Sequence, residues 1–113
     1  MDINRLFNID GKTALITGGS RGIGEMIAAG FLANGVKVYI TARKEAPLIE
    51  KAKELSEKFN GECIAIPCDL SNMEGIQKLA SDYLNHEDSL DILVNNAGAA
   101  SVSYTHLRAH ETG

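Results

Sequence analysis

"TGGSRGIG", residues 17–24, is the stretch that decides the fold. It closes the apolar run "TALIT" (13–17) and precedes a helical pattern, so a buried strand feeds a glycine-rich turn and then a helix. Gly18, Gly22 and Gly24 follow a G-x-x-x-G-x-G spacing. No register of the stretch gives the G-x-G-x-x-G of the usual dinucleotide fingerprint. Short glycine patterns arise by chance, so a plain strand-to-helix turn competes here with a phosphate cradle. The surroundings have to choose between them.

Strand and helix patterns alternate along the rest of the chain. Ile23, Met26, Ile27, Gly30, Phe31 and Asn34 recur at helical spacing and are expected to form one face of the helix after the glycines, with Gly35 as its stop. "VKVYIT" (36–41) reads as a second strand. Pro47 suits the first turn of a second helix, and Leu48, Ala52, Leu55 and Phe59 give that helix its apolar stripe up to a turn at Asn60-Gly61. "CIAIP" (63–67) is a third strand. Ser71 with Glu74 makes an S-x-x-E capping box, placing a third helix whose buried face would be Ile76, Leu79, Ala80, Tyr83 and Leu84. "LDILVN" (90–95) is a fourth strand. This rhythm predicts an α/β fold, a Rossmann-type doubly wound parallel sheet with right-handed crossovers, represented here by its N-terminal half in the order 3-2-1-4. The glycine turn then lies where such a sheet binds phosphate.

Composition excludes several functions. The chain has 113 residues, 44% of them apolar and 23% charged, which suits one soluble globular unit. A net charge of −4 and the lack of a dense Lys/Arg block argue against nucleic acid as a partner. No apolar run has membrane-spanning length, and "MDINRLFNID" lacks the layout of a secretory signal, so no membrane partner and a cytoplasmic location are expected. Cys63 and Cys68 are the only cysteines, too few for a disulfide framework or a zinc site, and are expected to be buried and reduced.

Phosphate binding would account for the glycines. Gly18 lets the chain turn out of the strand. Gly22 removes a side chain that would keep a pyrophosphate from the amides at the helix start, and Gly24 lets the helix approach the sheet. Ser20 and Arg21 can donate from the loop. A nucleotide laid over the sheet would next meet the carboxyl ends of the other strands, which carry Arg43, Asp69 and "NNAG" (95–98).

Together these features resemble the short-chain dehydrogenase/reductase family. "TGGSRGIG" is similar to its T-G-x-x-x-G-x-G loop, "CDL" (68–70) to its D-[LV], and "NNAG" to its motif after the fourth strand; the resemblance covers residues 10–98. It implies cofactor contacts from Gly18, Gly19, Ser20, Arg21, Gly22, Ile23 and Gly24, from Asp69 and Leu70 toward an adenine, and from Asn96, Ala97 and Gly98 beside the ribose. For Asp69 the competing reading is a strand-end cap on the next helix. Asn95 is expected to tie its strand to a neighbour.

Cofactor choice turns on "TARK" (41–44). An NAD enzyme carries Asp or Glu at the end of its second strand to hold the ribose hydroxyls; the matching residue is Ala42. Arg43 follows, and Arg21 lies in the glycine loop. Two guanidinium groups can grip a 2′-phosphate, whereas the alternative is two solvated surface arginines. The pattern favours NADP(H) over NAD(H).

The resemblance further implies an oxidoreductase that reduces a carbonyl to a secondary alcohol. "TARK" and "AIPCDLS" look most like the 3-oxoacyl reductase branch, rhamnolipid-type, with sugar and gluconate dehydrogenases as rivals and a non-catalytic nucleotide-binding or regulatory protein as an alternative of another class. A full-length homo-oligomer acting on a small carbonyl or alcohol substrate is implied. The family's catalytic Asn, Ser and Tyr-x-x-x-Lys cannot be assigned within residues 1–98, so a truncated, inactive N-terminal fragment is expected, with no catalytic residue named. In "SVSYTHLRAHETG" (101–113), Tyr104 and Arg108 mimic the Tyr-Lys spacing, but Arg is not Lys and Ser101 and Ser103 sit too close to the Tyr. His106 and His110 could face a metal only from a helix and lack a third ligand. The segment resembles translated adapter or vector sequence and is expected to be a disordered tail.

Overall fold

Among the described residues, five strands lie side by side in the order β3-β2-β1-β4-β5, with three helices interleaved along the chain. The structure, a computed structural model, describes residues 9–96 and the backbone of residues 101–108. The elements are β1 (Thr13–Thr17), α1 (Gly22–Ala33), β2 (Lys37–Thr41), α2 (Glu45–Phe59), β3 (Cys63–Ala65), α3 (Met73–Leu84), β4 (Ser89–Asn95) and β5 (Ser101–Arg108). The first four strands are parallel, and their order is the 3-2-1-4 expected from the strand-helix rhythm.

Alternation along the strands divides the core. Ala14, Ile16, Val38, Ile40, Ile92 and Val94 face α1 and α2, which meet them with Ala28, Leu32, Leu48, Ala52 and Leu55. Leu15, Tyr39 and Leu90 face the other way, against Leu79 and Tyr83 of α3. A parallel sheet covered by helices on both sides needs apolar side chains at successive strand positions, which is why "TALIT" reads as a continuous run. β3 is shorter than its apolar stretch. Ile66 still donates its amide to Ile40 of β2 at 2.9 Å and Cys68 to Ala42 just past it at 3.0 Å, but Pro67 between them has no N–H to extend the ladder.

Three expectations need correction. The buried face of α1 is Gly24, Ala28 and Leu32, with Ile27 and Phe31 half-buried, whereas Ile23 and Met26 are 59% and 73% exposed. The loop requires Gly24 against the sheet, and this turns the large apolar residues outward. α3 is capped by Asn72, whose side chain accepts from the Gly75 amide at 2.7 Å, and not by a Ser71–Glu74 box. Ser71 instead donates its amide to Asp69, so its backbone is committed one step earlier. Only Leu79 and Tyr83 of the expected α3 face are buried; Ile76, Ala80 and Leu84 are exposed.

The sheet has one more strand at its edge. Residues 101–108 form β5, antiparallel to β4 with Leu93 opposite Ser103 and Asn95 opposite Ser101. An edge strand presents a row of unpaired backbone donors and acceptors, and an extended segment close behind it in the chain can satisfy them with its own backbone amides and carbonyls. Tyr104 stands opposite Ile92 and Arg108 opposite Ser89. His106 falls on this strand and not on a helix; His110 lies outside the described residues.

Candidate functional site

The carboxyl ends of β1 and β2 open into one cleft of about 590 Å³. Gly18, Ser20 and Arg21 form its wall on the β1 side, and Ala42, Arg43 and Lys44 its wall on the β2 side. α2 contributes Pro47, Glu50, Lys51 and Glu54. Arg21 and Arg43, separated by a strand and a helix in sequence, thus face the same space. Among the described residues neither guanidinium takes part in an ion pair or hydrogen bond.

The local chain explains how the cleft stays open. The loop leaves β1 by handing the Gly18 amide to the Thr41 carbonyl at 2.8 Å, with Gly18 at φ +70°. Arg21 is extended, at φ −161°, and gives α1 no side-chain cap. The first amides of that helix therefore have no side-chain acceptor, which leaves the positive end of the helix dipole available. Gly22 has φ +62°, and a Cβ there would meet nothing within 4 Å: it would project into open space at the helix start. Gly24 is the opposite case. A Cβ there would stand 2.2 Å from the Gly18 carbonyl oxygen and 2.9 Å from Asn96 Nδ2, so the helix can approach the sheet this closely only on a glycine.

β4 buttresses the loop. The Thr17 hydroxyl lies 3.2 Å from Asn95 Oδ1 and accepts the Asn96 amide at 2.8 Å, while Asn96 Nδ2 reaches the Gly18 carbonyl at 3.5 Å. Asn95 thus ties its strand to β1. Asn96 is brought against the glycine loop; Ala97 and Gly98 lie outside the described residues.

Asp69 and Leu70 follow β3, next in the sheet order beyond β2. Asp69 accepts the Ser71 amide at 2.9 Å, making the turn into α3. Hydrogen bonds from the Ser71 hydroxyl and amide, with a smaller effect from the Arg43 charge, hold its carboxyl below the ordinary value. Asp69 is therefore an ionised acceptor that also shapes the start of a helix, so both readings of this residue have a physical basis. Gly75 secures it: a Cβ there would stand 1.6 Å from the Asp69 carbonyl oxygen.

Sequence reasoning missed Thr17, the hydroxyl that joins β1 to β4, although its place directly before the first glycine is a usable signal. It also missed the α2 wall. Lys51 and Glu54 are close in sequence, but the third member of their cluster, Glu25, is on α1. Cys63 and Cys68 are free and buried, as expected. Burial pushes the Cys63 thiol up to about 12.

The sequence matches the family model for short chain dehydrogenase over residues 12–112, and the chain belongs to that family. It is 48% identical over 94 residues to the rhamnolipids biosynthesis 3-oxoacyl-(acyl-carrier-protein) reductase of Pseudomonas aeruginosa, covering 83% of this chain and 36% of that protein. This supports the resemblance to the 3-oxoacyl reductase branch. The Pseudomonas aeruginosa RhlG/NADP active-site complex is similar in structure with a TM-score of 0.77, 48% identity, and coverage of 82% of this chain and 37% of that one. L-sorbose reductase from Gluconobacter frateurii, complexed with NADPH and L-sorbose, gives a TM-score of 0.77 at 39% identity, covering 83% and 36%. The chain spans only 36%, 31% and 30% of the length of three curated relatives that it matches.

Proposed function

We infer that this chain is the nucleotide-binding portion of an NADP(H)-dependent oxidoreductase that reduces a 3-oxoacyl-like carbonyl to a secondary alcohol. The observation that carries the reading is the convergence of Arg21 and Arg43 on one cleft beside the uncapped start of α1, with Ala42 where a ribose-binding acid would stand. The donor set suits a phosphorylated ribose. It offers two guanidinium groups, the helix amides, and no carboxylate at the end of β2 to repel a 2′-phosphate.

In this reading Gly22 and the first amides of α1 would hold the pyrophosphate, with Gly18, Gly19, Ser20, Ile23 and Gly24 shaping the loop. Arg21 and Arg43 hold the 2′-phosphate. Asp69 accepts from the adenine amino group and the Leu70 amide supports the same ring, while Asn96, Ala97 and Gly98 wall the adenosine ribose. A bound reduced nicotinamide supplies a hydride. Proton donation belongs to the family's Ser and Tyr-x-x-x-Lys, which residues 1–98 do not carry. The similarity to an L-sorbose reductase favours, as second reading, a sugar carbonyl as substrate. For the whole protein we propose a cytoplasmic homo-oligomer. Among the described residues, no helix is long and apolar enough to cross a membrane.

The double variant Ala42→Asp/Arg43→Leu tests the assignment. It should weaken NADPH binding by on the order of 1.5–3 kcal/mol, the cost of a lost charge-assisted contact, and improve the relative affinity for NADH. Isothermal calorimetry of both cofactors measures it. An unchanged NADPH/NADH ratio would remove Arg43 from the phosphate site.

A further inference from the structure

The cleft has a mixed wall. Arg21, Arg43 and Lys44 face it on one side, and Glu50 and Glu54 face it from α2. Glu25, in the first turn of α1, stands next to the same region. Carboxylates around a phosphate site oppose what the arginines do, so something must hold their charge. Lys51 does this. Its Nζ lies 3.2 Å from Glu25 Oε1 and 3.0 Å from Glu54 Oε2, bridging the helix that carries the glycine loop to the helix that follows Arg43. Those two carboxylates hold the ammonium pKa above its ordinary value, so it stays charged at any working pH.

We propose that Lys51 is a positioning residue for 2′-phosphate recognition: it ties down Glu25 and Glu54 so that the cleft presents its arginines, not its acids, to a phosphate monoester. The inference rests on the NADP(H) reading but adds a residue of the α2 wall whose ammonium is engaged by Glu25 and Glu54. Removing the ammonium leaves two carboxylates beside the arginines. They can then pair with Arg21 or Arg43 and compete with the phosphate, and their field disfavours an anion. A ligand lacking the 2′-phosphate should scarcely register the change. The bridge is partly solvated, so its loss should cost little folding stability.

The test uses the 113-residue chain with 2′,5′-ADP and 5′-AMP as probes, by calorimetry at low and moderate salt. Lys51→Met should weaken 2′,5′-ADP binding roughly tenfold, less so as salt screens the carboxylates, and change 5′-AMP binding less than about twofold. Adding Glu25→Gln and Glu54→Gln to Lys51→Met should restore most of the lost affinity. Equal loss for both probes, or no rescue by the two glutamines, would overturn the proposal in favour of a merely structural bridge. Unchanged 2′,5′-ADP affinity in Lys51→Met would also overturn it, while leaving the NADP(H) reading intact. If the unaltered chain shows no preference for 2′,5′-ADP over 5′-AMP, the NADP(H) reading itself fails and takes this proposal with it.

Discussion

The two ends of the parallel sheet treat their polar groups in opposite ways. At the amino end, Lys37, Tyr39, Glu87, Tyr83, Thr13 and Asp91 satisfy one another. Lys37 pairs with Glu87 at 2.7 Å, the Tyr39 hydroxyl donates to the same carboxylate, and Tyr83 donates to the Ser89 carbonyl. The two tyrosine rings meet edge to face at 5.0 Å, and Asp91 accepts the Thr13 amide at 2.9 Å. At the carboxyl end, Arg21 and Arg43 make no ion pair or hydrogen bond among the described residues, and the start of α1 has no side-chain cap. Polar groups that are closed on themselves hold a fold together. Donors left open beside a cleft can take a ligand.

The strongest way to break this contrast is Gly22→Val. A β-branched residue at φ +62° is strained by about 1–2 kcal/mol, and its side chain would fill the open space at the helix start. Nucleotide binding should fall below detection in calorimetry, whereas the melting temperature should drop by only a few degrees. Retained affinity would reduce Gly22 to turn chemistry.

Glu87→Gln probes the other end and should spare nucleotide affinity. Burial pushes the Glu87 carboxyl up, but hydrogen bonds from Lys37 and Tyr39 and the neighbouring charges outweigh it and hold it below the usual range. Stability from a depressed carboxylate is complete above its unfolded value, near ~4.3 for glutamate, and is lost as pH falls through the folded one. Glu87→Gln should therefore cost roughly 1–3 kcal/mol at neutral pH and progressively less as the medium becomes acidic. Chemical denaturation at stepped pH from 7 to 3 would reveal it. A constant difference across that range would contradict the role of the ionised group.

The smallest effect concerns the thiols. With its pKa pushed up to about 12 by burial, Cys63 should resist alkylation by iodoacetamide at pH 8 in the native chain and react on unfolding. Mass spectrometry with and without denaturant distinguishes the two. Rapid native labelling of Cys63 would mean that β3 opens locally.

The alternation of elements, the limits of β1, and the Leu48, Ala52, Leu55 stripe of α2 were legible because each depends on local periodicity and on turn residues. The glycine loop, Arg21, Arg43 and Asp69 were legible as a set because their spacing along the chain follows the strand ends. The burial of α1 was not. Apolar periodicity selects Ile23 and Met26, but the sheet accepts the face that can approach most closely, and that face is set by Gly24 and Ala28. The same limit applied to α3, where Asn72 and not Ser71 became the cap once Asp69 had claimed the Ser71 amide.

By itself, then, the sequence determined which segments between residues 13 and 95 become strand or helix, the family to which the chain belongs, and the residues on which nucleotide binding is proposed to rest. Dihedral preference and hydrophobic period act within a few residues and can be read from a string of letters. Tertiary structure alone decided that Arg21 and Arg43 share one cleft, that Lys51 joins Glu25 to Glu54, that Glu87 closes the amino end, and that residues 101–108 pair with β4. Each of these joins groups on different elements. Their distance is fixed by how helices pack on the sheet and how a strand edge finds a partner, and no local pattern records that.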